Sequence, residues 1–306
     1  MKGRRILVTG ANGFLGKHVV ALLTKRGYRV STLGRRKSEH TFPHLTINLT
    51  KKVPFKTMGE FDAIVHLASE VNIAKSIETP DSVITENLAM TTCILNSYRT
   101  SRIKPLIVFL STDRVYGKAR GRVTETTPTF PIEPYTASKI MSEILLETYF
   151  NQFDIPYISL RASAFFGPHQ PRRSFISDVI QKMIAEDKIT VGPLTSVKNF
   201  TYVENVAYAV LAALRAPHSA RNRTYNIGGK PVALSQVFTL CRKMVEKKLD
   251  KKISVRIDNS IRLPQKNEIG AFALSTLSAK KMLRWKERIS LKDGIKKTVT
   301  YFLENK

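Results

Sequence analysis

The feature that most limits the folds open to this chain is a glycine-rich turn between its first apolar run and its first amphipathic run. The apolar run Arg4–Thr9 predicts a β-strand, and Gly13–Lys25 predicts a helix. From the last residue of this strand into the first turn of this helix the sequence reads TGANGFLG. Gly10 would permit a tight turn, Gly13 the approach of a pyrophosphate, and Gly16 close packing of helix on strand. Because N–H groups at a helix start bind phosphate, the sequence predicts a dinucleotide site here.

The first half of the chain continues this alternation of strands and helices. Further strands are predicted at Arg29–Leu33, Ile47–Leu49, Ala63–Ala68, Leu106–Leu110 and Tyr157–Arg161, and long helices at Val83–Arg99 and Tyr135–Asn151. Strands that are apolar almost throughout are typical of a parallel sheet covered on both faces. We therefore predict an α/β fold with a doubly wound parallel sheet of the Rossmann type. The dinucleotide-binding domain is expected at 1–167, with 197–229 returning to it, and a smaller C-terminal substrate-binding lobe at 168–306.

Composition excludes several classes of protein. The 306 residues include 50 Lys and Arg against 24 Asp and Glu, a formal net charge of +26, which attracts anions. The basic residues are scattered in doublets such as Arg4–Arg5 and Lys280–Lys281, so we expect no specific nucleic-acid site, only non-specific adhesion to polyanions.

The apolar runs are too short to cross a bilayer, and no secretory signal precedes the first strand. We therefore expect a cytoplasmic protein without a membrane span. Cys93 and Cys241 lie in helical patterns and are expected to be buried and reduced. The six histidines do not cluster near either cysteine, and no metal site is predicted.

A tyrosine and a lysine supply the predicted proton-transfer chemistry. Tyr135 and Lys139 are four residues apart and share one face of a predicted helix. A phenol is a poor base at neutral pH, but a neighbouring ammonium group and an oxidised nicotinamide ring would favour its ionised form. Tyr135 could then exchange a proton with a hydroxyl or carbonyl group while hydride moves to or from the cofactor.

Three motifs together resemble the extended short-chain dehydrogenases, the NAD-dependent epimerase and dehydratase family that modifies nucleotide sugars. TGANGFLG is similar to the family's TGxxGxxG, PIEPYTASK to PxxPYxxSK, and STDRVYG to SSxxVYG. The resemblance implies that the hydroxyl of Thr112, with Ser111 as second choice, hydrogen-bonds the reacting oxygen, and that Asn87 orders the active-site backbone. The predicted catalytic residues are Thr112, Tyr135, Lys139 and Asn87. The predicted cofactor-binding residues are Gly10, Asn12, Gly13, Phe14, Leu15, Gly16, Arg35, Arg36, Asn48, Leu49, Leu67, Ala68, Tyr135 and Lys139.

The end of the second predicted strand indicates which cofactor is bound. An acidic residue there would select NAD, whereas arginine accommodates the 2′-phosphate of NADP. The strand ends in Arg35 and Arg36, which could hold a phosphate with paired hydrogen bonds. We favour NADP over NAD.

The substrate side departs from the family pattern at several positions. Arg114 replaces the glutamate of the related dTDP-glucose 4,6-dehydratases, and arginine cannot act as a base. Ala164 and Phe166 replace an asparagine and a tyrosine of the family's RxxNxYGP stretch. Lys198 stands where an arginine commonly meets the substrate's diphosphate, and it lacks the arginine's bidentate fork. The predicted substrate-binding residues are Ser111, Asp113, Arg114, Ala164, Lys198 and Arg262.

These motifs favour an NAD(P)-dependent epimerase or ketoreductase acting on a nucleotide-diphosphate sugar. The first alternative is an NADPH-dependent reductase of a non-sugar ketone, similar to dihydroflavonol or steroid reductases. A more remote alternative is a non-catalytic protein that binds a dinucleotide or nucleic acid. The family commonly dimerises through helices matched by Val83–Arg99 and Tyr135–Asn151, so a homodimer is expected.

Overall fold

The computed structural model describes residues 3–36, 42–172, 174–261 and 270–305. The strands are β1 (Arg5–Thr9), β2 (Arg29–Gly34), β3 (His44–Thr46), β4 (Ala63–His66), β5 (Leu106–Thr112), β6 (Gly121–Val123), β7 (Tyr157–Ala162), β8 (Ala164–Phe166), β9 (Lys188–Val191), β10 (Val197–Tyr202), β11 (Arg223–Ile227), β12 (Pro231–Ala233), β13 (Ser254–Ile257) and β14 (Phe272–Leu274). The α-helices are α1 (Phe14–Lys25), α2 (Phe55–Met58), α3 (Ile73–Glu78), α4 (Pro80–Tyr98), α5 (Pro134–Phe153), α6 (Phe175–Ala185), α7 (Val203–Leu214), α8 (Leu234–Leu249), α9 (Leu277–Met282) and α10 (Leu291–Glu304).

Seven parallel strands form the central sheet, in the order β11-β7-β5-β4-β1-β2-β3. The chain runs outward from β1 to β3 on one side and from β4 to β11 on the other. The two directions separate between β1 and β4, and ligands of open α/β sheets bind at such a switch point, outside the carboxyl ends of the strands. The predicted doubly wound α/β fold is confirmed.

Helices cover both faces of this sheet, as the apolar strands require. Alternate residues of β1 point to opposite sides: Ile6 and Val8 pack into one buried cluster, and Leu7 into another. The first cluster includes apolar residues of α1 and α7, and the second those of α4 and α5. Because both faces of the sheet are buried, the positions of the strands are fixed. The carboxyl ends of the strands are therefore held at one edge of the sheet.

The structure differs from the sequence prediction at the third strand. β3 is His44–Thr46 and not Ile47–Leu49, because residues 32–34 of β2 pair with 44–46. Residues 47–49 instead line a cavity at the end of the sheet.

The second half of the chain is divided between the central sheet and smaller ones. β11 joins the central sheet as an edge strand, whereas β10 lies between β12 and β8 in a separate three-stranded sheet. Apolar residues of α6, α8 and α10 belong to the same buried cluster as those of α1 and α7.

Cys93 and Cys241 are buried and form no disulfide, as predicted. Within the described part of the chain, no helix combines the length and apolarity needed to cross a membrane.

Candidate active site

The glycine turn is packed so tightly that two of its glycines cannot carry a side chain. Gly10 has φ +69°, and a Cβ there would lie 2.8 Å from the backbone nitrogen of Ala68. A Cβ on Gly16 would lie 2.2 Å from the carbonyl oxygen of Gly10. At Gly13 a Cβ would meet only that same oxygen, at 3.1 Å, so the space outside the turn is open. This is the cradle that a phosphate needs to approach the backbone.

A cavity of about 590 Å³ extends from this turn along the carboxyl ends of β1 and β2. Eight predicted cofactor residues line it: Gly10, Asn12, Gly13, Arg35, Arg36, Asn48, Leu49 and Ala68. Six further residues predicted to bind the cofactor do not line it: Phe14, Leu15, Gly16, Leu67, Tyr135 and Lys139. Phe14 stacks on Phe165 with ring centroids 5.5 Å apart, and Leu15 is buried in the core.

Ten lining residues were not predicted from the sequence: Ala11, Leu33, Gly34, His44, Ile47, Thr50, Ser69, Glu70, Glu86 and Met90. Glu86 and Met90 flank Asn87 on α4, so helical spacing around that predicted residue could have found them. His44 carried no such signal. It reaches the cavity because its Nδ1 lies 2.8 Å from the hydroxyl of Thr32 on the neighbouring strand.

The residues present fit a nicotinamide dinucleotide. A glycine turn at a helix start offers N–H groups to a pyrophosphate, and two arginines stand at the end of β2. The cavity also lies at the switch point of the sheet. Gly10, Gly13 and Asn12 would hold the phosphates, with Arg35 and Arg36 at the adenosine end.

Tyr135 and Lys139 lie on the first turns of α5, at the carboxyl end of β5. Pro134 begins the helix, a position where proline costs no hydrogen bond. Lys139 Nζ donates to the carbonyl oxygen of Leu110 at 2.9 Å and lies 5.8 Å from the centroid of the Tyr135 ring. Both side chains are buried. The structure therefore brings the predicted pair together on one helix face.

Burial dominates the protonation of this pair. It lowers the pKa of Lys139 to about 7, against the opposing effect of Glu143. It raises the pKa of Tyr135, while the charge of Arg114 acts in the opposite direction. The sequence predicts a lowered pKa for Tyr135 beside Lys139 and an oxidised nicotinamide ring, whereas in this structure desolvation outweighs the opposing charge of Arg114. Tyr135 is thus a phenol at neutral pH, able to donate a proton.

Two hydroxyl groups end β5 beside this pair. Thr112 Oγ1 accepts the backbone N–H of Arg114 at 3.2 Å and caps the short helical turn Asp113–Tyr116. Its own proton can therefore go to another acceptor. Ser111 Oγ is buried and has no hydrogen-bond partner in the structure, so it leaves a donor for a bound oxygen atom.

Asn87 fastens the cavity wall to the helix that carries Tyr135. Its Oδ1 accepts from the backbone of Glu70 at 2.8 Å and from the hydroxyl of Ser69 at 3.1 Å. Its Nδ2 donates to Ser138 Oγ at 2.9 Å. Asn87 therefore ties residues 69–70 to α5, and its role in ordering the backbone of the active site stays a prediction.

Three of the predicted substrate residues, Asp113, Arg114 and Lys198, carry charges that act on one another. Burial raises the pKa of Asp113 to about 7, and the charges of Arg114 and Lys198 oppose this. Arg114 Nε also donates to the buried Glu133 at 2.6 Å. Ala164 is exposed at the start of β8. Arg262 lies outside the described residues.

A phosphate-binding turn after β1 and a buried Tyr–Lys pair after β5, both on the carboxyl edge of one parallel sheet, define an enzyme of the extended short-chain dehydrogenase type that uses a nicotinamide dinucleotide. The sequence model of the NAD dependent epimerase/dehydratase family matches residues 6–228. The chain belongs to this family.

Individual relatives and solved structures agree with this assignment. A protein of Methanocaldococcus jannaschii with the provisional name UDP-glucose 4-epimerase is 30% identical, over 98% of this chain and 99% of its own length. The UDP-glucuronate 4-epimerase of Thermodesulfobacterium geofontis is 26% identical, over 98% of this chain and 96% of its own length. The fold matches the UDP-N-acetylglucosamine 4-epimerase of Methanobrevibacter ruminantium M1, with a TM-score of 0.88, 22% identity and full coverage of both chains.

Proposed function

We propose that this enzyme is an NADP(H)-linked 4-epimerase or 4-ketoreductase of a nucleotide-diphosphate sugar. The observation that carries the proposal is the buried cluster of Ser111, Thr112, Tyr135 and Lys139 at the carboxyl end of β5, on the same edge of the parallel sheet as the glycine turn. Relatives that match nearly the whole chain are named as epimerases of UDP-sugars, which supports the same substrate class.

Each residue of the cluster has a defined task in this proposal. The bound dinucleotide supplies the hydride acceptor or donor. Tyr135 gives its proton to the substrate oxygen during reduction, or takes it during oxidation. The hydroxyls of Ser111 and Thr112 donate to the same oxygen. Lys139 compensates the charge of the phenolate while the proton is on the substrate.

Arg114 favours hydride chemistry without elimination of water. It occupies the place of the glutamate that 4,6-dehydratases use as a base, and its Nε is held by Glu133. An arginine in this ion pair cannot accept a proton from carbon. We therefore do not include a 4,6-dehydratase in the proposal.

Two incubations separate the two remaining reactions. In the first, the enzyme is mixed with NADPH and a 4-keto sugar nucleotide, and absorbance is followed at the wavelength of the reduced cofactor; stoichiometric loss of NADPH identifies a reductase. In the second, the enzyme is mixed with a 4-hydroxy sugar nucleotide and a catalytic amount of oxidised cofactor; interconversion of the two 4-epimers without net change in the cofactor identifies an epimerase. Tyr135→Phe should abolish either activity, and an active Tyr135→Phe enzyme would refute the assigned acid.

The preference for NADP is part of the proposal and is supported by Arg35 and Arg36, both exposed at the cavity rim. A charge-assisted hydrogen bond contributes about 1.5–3 kcal/mol. Replacing both arginines by serine should weaken NADPH binding by at least about tenfold and leave NADH binding unchanged. Equal losses for both cofactors would contradict a 2′-phosphate site.

A reductase of a non-sugar ketone is the second candidate, favoured by the exposed Ala164 in place of a polar family residue. Calorimetry with UDP, dTDP and GDP distinguishes the two classes. Tight binding of any of these nucleotides supports the sugar-nucleotide proposal, and failure of all three supports the second candidate.

The proposal also concerns assembly. Met141 and Ile144 are one turn apart on α5 and are 42% and 57% exposed. An apolar strip on this helix supports a homodimer that forms through α4 and α5. Ile144→Asp should yield a monomer in sedimentation, whereas an unchanged sedimentation coefficient would exclude this interface. A cytoplasmic enzyme with a dinucleotide domain at 1–167, to which 197–229 returns, and a smaller substrate lobe at 168–306 completes the proposal.

A further inference from the structure

A fully buried histidine lies between the cofactor turn and the two helices behind it, and the chemistry described so far does not use it. His66 ends β4 and is 1% exposed. Its Nδ1 lies 2.8 Å from Thr9 Oγ1, at the end of β1. Its Nε2 lies 3.3 Å from Thr91 Oγ1 on α4, and its ring lies 5.6 Å from that of Phe109.

The hydrogen bonds around Thr9 determine which group donates and which accepts in each bond of this network. Thr9 Oγ1 accepts the backbone N–H groups of Leu67 at 3.2 Å and Ala68 at 3.1 Å. A hydroxyl oxygen has two lone pairs and one proton. Since both lone pairs are used, the proton of Thr9 goes to Nδ1 of His66. The proton of the neutral ring is then on Nε2, which donates to Thr91.

The hydrogen-bond network continues from Thr91 to the backbone of α4 and toward α5. Thr91 Oγ1 donates to the carbonyl oxygen of Asn87 at 3.1 Å and lies 3.2 Å from Ser142 Oγ. Ser142 Oγ in turn donates to the carbonyl oxygen of Ser138 at 2.8 Å. Every member of this network is buried, so a missing link would leave an unsatisfied polar group.

Only the neutral ring fits this arrangement. A protonated ring would direct a second N–H group at Thr9 Oγ1, whose lone pairs are already occupied. Burial, and then the nearby charge of Lys139, lower the pKa of His66 to about 3. The ring therefore stays in one charge state and one tautomer at every pH at which the enzyme would be assayed.

The backbone segment that this hydrogen-bond network holds in place forms one wall of the cofactor cavity. We call residues 67–70 the strap. Its members Ala68, Ser69 and Glu70 line the cavity. The strap also touches the glycine turn, because a Cβ on Gly10 would lie 2.8 Å from the nitrogen of Ala68. A small displacement of the strap therefore changes the shape of the phosphate cradle.

We propose that His66 is a positioning residue for the cofactor: through Thr9 it holds the strap against the glycine turn, and through Thr91 it ties that wall to the helix carrying Asn87. It touches neither cofactor nor substrate. Its effect is on the affinity for the dinucleotide, and the assigned proton transfer by Tyr135 does not depend on it.

The test compares variants at His66 with a control of equal burial. His66→Phe keeps an aromatic ring of similar size and removes both hydrogen bonds. Tyr225→Phe is the control, since it removes one buried hydrogen bond, from Tyr225 Oη to the carbonyl oxygen of Ala220 at 2.7 Å, away from the cavity. Dissociation constants for NADPH and NADH are measured by fluorescence, and melting temperatures by circular dichroism.

His66→Phe should bind both cofactors at least about tenfold more weakly, with kcat at saturating cofactor less affected than KM for the cofactor. Tyr225→Phe should melt earlier and bind as the wild type does. If His66→Phe melts earlier but retains wild-type affinity, His66 only packs the core and the proposal is overturned.

A second pair of variants decides the matter if His66→Phe does not fold. Thr9→Ser retains the hydroxyl and should bind as the wild type, whereas Thr9→Val removes it and should bind several-fold more weakly. Equal affinity in Thr9→Ser and Thr9→Val would overturn the proposal. Because these readouts are cofactor affinities, they are independent of whether the substrate is a sugar nucleotide.

Discussion

The buried ammonium group of Lys139 makes the stability of the cofactor-free enzyme depend on pH in a way that one substitution removes. Burial lowers the pKa of Lys139 from 10.5 to about 7 in the folded protein. In the unfolded chain the side chain is hydrated and keeps its ordinary pKa. Between these two values the unfolded state holds a proton that the folded state has released. As the pH rises through this window, holding that proton becomes less favourable for the unfolded state. The folded state is therefore stabilised relative to it.

The size of the effect follows from the two pKa values. One proton bound only by the unfolded state changes the free energy of unfolding by about 1.4 kcal/mol per pH unit. Over the whole window the limit is about 5 kcal/mol. Lys139→Met has no such proton, so the stability of the wild type relative to this variant should rise by about 2 kcal/mol from pH 7 to pH 9, the slope being half-developed at pH 7.

Urea unfolding at pH 7, 8 and 9, without cofactor, measures this difference. Tyr135 does not interfere, because burial raises its pKa and it titrates above the window. Cys93 and Cys241 are the same in both proteins, so their contributions cancel in the difference. Lys243→Met, at an exposed position on α8, is the control and should follow the wild type. Parallel pH profiles for the wild type and Lys139→Met would refute a lowered pKa for Lys139.

Three further predictions test other parts of the site. Gly13→Ala should keep the wild-type melting temperature and lose cofactor binding, whereas Gly16→Ala should lose both, because only its Cβ collides with the backbone, 2.2 Å from a carbonyl oxygen; equal melting temperatures would contradict this. Asp113 has a folded pKa of about 7, raised from 3.8, so its burial destabilises the folded state increasingly as the pH rises from about 4 to 7. Asp113→Asn should therefore unfold at higher urea than the wild type at pH 8 and show no such gain at pH 4, and a gain of equal size at both pH values would argue against a raised pKa. Arg161 and Glu143 form a buried pair at 2.6 Å. Arg161→Met should cost about 3–5 kcal/mol in urea unfolding, and the double variant Arg161→Met with Glu143→Leu should recover most of it; additive losses would show that the charges do not interact.

The sequence predicts those parts of the molecule that local chemistry determines. The glycine turn is recognisable because a strand, a turn and a helix follow one another within a few residues. Tyr135 and Lys139 are predicted as a pair because helical geometry alone brings residues four apart together. Neither prediction requires knowledge of the tertiary fold.

Properties that depend on tertiary packing were not predictable. The position of β3 follows from its pairing with β2. Residues 44–46 and 47–49 differ too little in composition for the sequence alone to show which of them forms the strand. The raised pKa of Tyr135 depends on burial, which periodicity does not measure. Asp113 and Lys198 are 85 positions apart in the chain, and only the packed lobes bring their charges together.

The two substitutions in the RxxNxYGP stretch show why a motif departure needs its structural context. Phe166 is 1% exposed, packs its ring 5.8 Å from that of Tyr202, and leaves so little room that a Cβ on Gly294 would lie 3.1 Å from it. The missing tyrosine hydroxyl therefore bears on core packing, where an unpaired hydroxyl would be costly. Ala164, by contrast, is exposed at the start of β8. Of the two departures, only Ala164 leaves a side chain that a ligand can reach, so the support for a non-sugar ketone as substrate is correspondingly smaller than the sequence suggests.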